Sequence, residues 1–86
     1  MPEICRFFGI VVAMYYEDHT PPHFHARYAG HRARFALGPV RLLSGSLSPR
    51  VMGLIMEWAV MHEIEILEDW ELARRGKSLK PIQPLE

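Results

Sequence analysis

The chain has little cysteine, no long apolar run, and a middle section with no acidic residue. Cys5 stands alone among 86 residues. That excludes an intramolecular disulfide and any metal site built only of thiolates, and it suits a reducing compartment. The longest apolar run, Phe7 to Tyr16, is about ten residues, against the roughly 20 a membrane-spanning helix requires. It ends at Glu17-Asp18 rather than at small residues, so it does not read as a secretory leader. The expectation is a cytoplasmic chain without membrane association. From His19 to Met56 aspartate and glutamate are absent, while Arg27, Arg32, Arg34, Arg41 and Arg50 lie there. From Glu57 to Glu71 lysine and arginine are absent. A formal net charge of zero therefore hides a basic half and an acidic half. Such segregation points to an anionic partner for one surface, or to neutralisation within the fold or across a homodimer. The plainer alternative is two solvated faces of opposite sign.

What is present reads as a single globular domain. Hydrophobic residues make up 49% and charged residues 23%, both ordinary globular values. At this length one core buries roughly 60–65% of the unfolded surface, which leaves modest stability and room for a partner to contribute. The domain spans 1–86, with a sheet over 1–47, a helix over 48–76 and an extended tail over 77–86. Ile4 to Phe7 reads as a short strand, with a turn near Phe8-Gly9. Ile10 to Tyr16 is β-branched and aromatic on both alternating faces, as in a central or doubly covered strand. His23 to Ala29 and His31 to Leu37 alternate and flank a glycine-containing turn, which predicts a hairpin. Val40 to Leu43 adds a further short strand, and Ser44-Gly45-Ser46 reads as loop.

Ser48-Pro49 starts a helix, with serine as N-cap and proline where its missing N–H costs nothing. An apolar stripe follows through Val51, Leu54, Ile55, Trp58, Met61, Ile64, Ile66, Leu67, Trp70 and Ala73. Arg74-Arg75 and Gly76 suit its C-terminal end. One unbroken helix there is about 27 residues and about 40 Å long, more than a sheet of this size can cover. It either bends near His62-Glu63 or packs its second half on a partner. The expected fold is α+β, a four- or five-stranded, mainly antiparallel sheet with one long C-terminal helix on one face.

The chemistry concentrates in Asp18-His19-Thr20-Pro21-Pro22-His23-Phe24-His25. With Ala29-Gly30 as a two-residue turn, Arg27 faces Arg32 and His25 faces Arg34 across the hairpin. Side chains alternate along strands, so one face carries Phe24, Ala26, Tyr28, Ala33, Phe35 and Leu37, and the other His23, His25, Arg27, Arg32 and Arg34. Like charges directly opposite one another repel, so Arg27, Arg32 and Arg34 predict a bound anion such as a phosphate, or carboxylates of another copy. Glu17, Asp18 or helix acids neutralising them within one chain is the plainer reading. The prolines stiffen the arm that carries His19 into His23.

Three readings of the histidines compete. His19, His23 and His25 can hold zinc or a similar divalent ion, with Asp18 as an alternative third ligand, although nearby arginines oppose a bare cation. His23 or His25 can serve as general base on a phosphodiester, with Arg34 or Arg27 holding the scissile phosphate, as in a small metal-independent ribonuclease. The third reading is structural: histidines bonding backbone groups at a strand entrance, with Asp18 capping the turn. Tyr15-Tyr16 ends a strand, where one ring could stack on a base, core packing being the commoner use.

The chain resembles the small prokaryotic proteins grouped as domain of unknown function family 4160. The resemblance is carried by Arg6-Phe7-Phe8-Gly9-Ile10, Met14-Tyr15-Tyr16, the stretch from Asp18 to His25 with Tyr28, Glu57-Trp58-Ala59, Trp70-Glu71-Leu72-Ala73 with Gly76, and Ile82-Gln83-Pro84-Leu85. It implies a component of a two-gene, toxin–antitoxin-like module with a cognate protein from a neighbouring gene; it carries over no catalytic residue. Ala26-Arg27-Tyr28 and His31-Arg32-Ala33-Arg34 are more basic than the family pattern implies, so the anion site rests on this chain's own residues. The expected function is binding of an anionic partner such as RNA on the His/Arg face. The alternative is a non-catalytic binding or dimerisation module.

Overall fold

The computed structural model describes residues 3–16 and 19–86. Five strands, Glu3–Phe7 (β1), Ile10–Ala13 (β2), His23–Tyr28 (β3), His31–Ala36 (β4) and Arg41–Gly45 (β5), form one antiparallel sheet in chain order. Two helices follow, Pro49–Met61 (α1) and Glu63–Arg74 (α2). The architecture is α+β, with every neighbouring pair of strands joined in sequence order.

Two tight turns set the register. Phe8-Gly9 and Ala29-Gly30 both place their residues at positive φ, from +50° to +82°, the geometry whose twist matches a two-residue hairpin. The β3–β4 pairs are Tyr28 with His31, Arg27 with Arg32, Ala26 with Ala33, His25 with Arg34 and Phe24 with Phe35. Phe24, Ala26, Ala33 and Phe35 consequently share one face, buried with Ile10, Val12, Val51, Ile55 and Trp58 in the core. The Phe24 and Phe35 rings stack at 5.2 Å, and Trp58 stands edge-on to Phe24 at 5.9 Å.

The expected single long helix is corrected: α1 and α2 are separate, and the break falls at His62. His62 leaves helical geometry at φ −115°, ψ 21° while its N–H still bonds the Trp58 carbonyl. Glu63 and Glu65 then sit at the positive N-terminal end of a new helix, with Arg74 at its other end. Glu63 Oε2 accepts the Gly38 N–H at 2.9 Å, tying the new helix to the β4–β5 turn. Length is the cause. The molecule is 33 Å in its longest dimension, shorter than the roughly 40 Å of an unbroken rod. Breaking lets Val51, Ile55 and Trp58 of α1 and Ile66, Trp70 and Ala73 of α2 all reach one core. Met61 and Ile64, expected on the buried stripe, are exposed at the break, Ile64 at 76%.

Ser44 and Gly45, expected in a loop, belong to β5. Gly45 holds φ +89°, and a methyl there would meet the Arg32 carbonyl oxygen and lie 2.7 Å from Ala33 Cα. Only glycine lets the strand lie this close. An irregularity between Arg34 and Phe35 shifts the β4–β5 register. β2 ends at Ala13, earlier than the expected Tyr16. Residues 77–86 run without regular structure along the fold. The Lys80 N–H bonds Asp69 Oδ1, the Ile82 N–H bonds the Ile4 carbonyl, and Trp58 Nε1 donates to the Gln83 carbonyl, each at 2.9 Å. No helix among the described residues is long and apolar enough to cross a membrane.

Candidate functional site

The face of the sheet opposite the core carries a groove of about 300 Å³. Directly paired residues share a face, so the observed register brings Arg27, Arg32, Arg34 and His25 to it together. β2 contributes its floor: Val11 pairs with Arg27 and Ala13 with His25. Val11 and Ala13 are only 8% and 3% exposed, because the longer side chains beside them overhang two small ones. Tyr15 stands at one end and Ser44 at another.

Arg34 is held in place by a neighbouring side chain. Arg34 Nε donates to Ser44 Oγ at 2.8 Å, which fixes the guanidinium plane. Among the described residues, neither Arg32 nor Arg34 has a carboxylate partner. Glu3 lies in the field of Arg27, and its carboxyl is held below its ordinary value, first by its hydrogen bond to Arg6 and then by both arginine charges. Glu63, Glu65 and Glu71 are engaged at Gly38, His62 and Arg74. Glu17 and Asp18, considered as neutralising groups, lie outside the described residues.

The histidines separate. His25 lines the groove, half-buried, its ring edge-on to Tyr15 at 4.4 Å. His23 is 3% exposed, packed 5.1 Å from His25 and 5.3 Å from Trp70 of α2. Its Nδ1 lies 2.8 Å from the Pro21 carbonyl. A carbonyl can only accept, so Nδ1 carries the proton of this bond. His23 thus fills the sheet's end and braces His25 from behind. His19 is exposed and does not line the groove. A zinc ion on His19, His23 and His25 would have to take Nε2 of His23. Among the described residues no three His, Cys, Asp or Glu side chains are gathered as such an ion needs, and Asp18, the alternative ligand, lies outside them.

Ser44 and the groove floor were not legible as site residues. Ser44 reaches Arg34 only because of the register shift in β4–β5, which leaves no trace in spacing. Tyr15 had a signal: it lies an even step from Ala13 and so projects to the same side as His25. Cys5 is buried, and burial pushes its thiol up, so nothing activates it as a nucleophile.

The chain has no match among curated proteins or among solved structures. A family model does match, across the hairpin, the groove and both helices up to Glu71: residues 9–71 fit the one described as Domain of unknown function (DUF4160), and the chain belongs to that family.

Proposed function

We propose that this protein is an RNA-binding domain whose uncovered sheet face takes phosphate groups between Arg27, Arg32 and Arg34. One observation carries the reading: the hairpin register sets Arg27 against Arg32 and His25 against Arg34 around a single groove. Arg32 and Arg34 have no carboxylate partner among the described residues, and a bound polyanion would supply the counter-charge. Arg34, oriented by Ser44, is prepared for a two-pronged contact with phosphate oxygens. A cytoplasmic setting agrees with a lone, buried Cys5 that needs no oxidant. In a two-gene, toxin–antitoxin-like module, this is the face a cognate protein would have to cover.

Binding of a labelled single-stranded RNA, followed by fluorescence anisotropy against salt, tests this. Three phosphate contacts give a log–log slope near −2, about −0.7 per contact on a single strand. Arg32→Ala and Arg34→Ala should each weaken binding and flatten the slope by about 0.7. Salt-independent binding, or none at low salt, would sink the proposal.

A ribonuclease reading has its own support in the packing of Tyr15, His25 and His23, which holds one imidazole at the groove wall. His25 would take the proton from a ribose 2′-hydroxyl as its oxygen attacks the adjacent phosphorus. A 2′,3′-cyclic phosphate forms, the bond to the 5′-oxygen breaks, and that oxygen takes a proton from water, while arginine steadies the phosphate. His23, buried behind it, would position that ring. Under this reading His25→Ala binds RNA but no longer cleaves it. Wild-type protein that binds without cleaving removes the reading and leaves a binding module.

A further inference from the structure

The groove has two unlike halves. One is cationic, made by Arg32 and Arg34 with Ser44 holding the latter in place. The other has an apolar floor of Val11 and Ala13 and the Tyr15 ring as wall, with Arg27 and His25 bordering it on the neighbouring strand. Phosphate alone would use only the first half. A duplex would as well, since it shows its phosphates outward and keeps its base faces stacked inside. An unpaired nucleotide fills both, with its base in the apolar half against tyrosine and its phosphate between the arginines. A space of about 300 Å³ lies at the small end of ligand sites, which suits one base, while the flanking phosphates of a strand meet the exposed arginines beside it. The edge contact with His25 fixes the Tyr15 ring, so little side-chain freedom remains to be lost on stacking.

Resting on the phosphate-binding reading above, we infer that the groove selects an unpaired nucleotide, with Tyr15 as the residue that recognises the base. The shared chemistry is a base joined through ribose to phosphate, whether in a single RNA strand or as free nucleotide.

Four probes separate the possibilities on the full chain: a single-stranded oligoribonucleotide, its duplex, inorganic polyphosphate of similar charge, and a nucleoside 5′-monophosphate. The single strand should bind about ten-fold more tightly than duplex or polyphosphate, the scale of one stacked base. Tyr15→Ala should bring single-strand affinity down to that of polyphosphate, and Tyr15→Phe should restore the preference. Circular dichroism on both variants checks the fold, and the phenylalanine variant keeps the test sound if alanine misfolds. A monophosphate that binds as well as the strand assigns the site to free nucleotide; a gain with chain length assigns it to single-stranded RNA. Equal affinity for all polyanions, with Tyr15→Ala silent, overturns the inference and leaves the phosphate reading standing. Failure of every polyanion to bind overturns both.

Discussion

Ala29 occupies a backbone conformation that its side chain disfavours. At φ +50° its Cβ crowds the backbone, at a cost of about 1 kcal/mol. The hairpin needs that conformation because the next residue, Gly30, completes the turn that sets Arg27 against Arg32. Asparagine tolerates the same φ. Ala29→Asn should stabilise the protein by about 0.5–1 kcal/mol, roughly 3–6 °C in a thermal melt for a domain this small. RNA affinity should stay unchanged, because Ala29 is exposed and outside the groove. A lower melting temperature would refute this account of the turn. At this scale the sequence was legible wherever alternation ruled. His25, Arg27, Arg32 and Arg34 reach one face because each lies an even step from the next on a strand, or directly opposite across the turn. His23 follows the same rule, yet it ends up covered. Nothing in spacing says that Trp70, far along the chain, will pack against it.

Elements are held by what they pack on. β5 is an edge strand, and its closeness to β4 depends on Gly45. Gly45→Ala adds a methyl against backbone that cannot turn aside, in a conformation alanine disfavours, and should cost about 2–4 kcal/mol in urea unfolding. It should also weaken RNA binding, since Ser44 loses its hold on Arg34. A neutral result would show that β5 can shift without cost. The helical region teaches the complementary lesson. Periodicity from Val51 to Ala73 was legible, but it favoured one helix, because a pattern along the chain carries no information about where the sheet ends. The break at His62 follows from the width of the core, and Glu63 and Glu65 become helix-start residues only once that break exists.

For the whole molecule, the tail joins the helix layer to the β1 edge, and Asp69 is its anchor on α2. This carboxylate is 1% exposed; Oδ1 takes the Lys80 N–H, while Oδ2 has no hydrogen-bond partner among the described residues. Burial raises its pKa, with Glu68 and Glu65 adding to the rise against the lowering effect of Lys80. The folded protein therefore keeps a proton that the unfolded chain has already lost, over the interval between the two pKa values. Within that interval stability falls as pH climbs, and above it the full cost remains. Asp69→Asn keeps an oxygen for Lys80 and removes the charge. The variant should gain stability relative to wild type progressively as pH rises above the ordinary aspartate range, in urea unfolding at each pH. A constant difference would show that ionisation at Asp69 does not matter to the fold.

The sequence by itself determined the strands of the hairpin, the faces of its side chains, the helix start at Ser48-Pro49 and the grouping of arginines with His25. These are local matters, governed by alternation over a few residues, by turn chemistry and by capping, so neighbours along the chain suffice to decide them. Only the tertiary structure decided that the helix breaks, that Ser44 orients Arg34, that His23 is sealed under Trp70 and that small residues of β2 hollow out the groove. Each depends on how close two distant segments come, a distance set by the packed volume of the core and recorded at no single position in the chain.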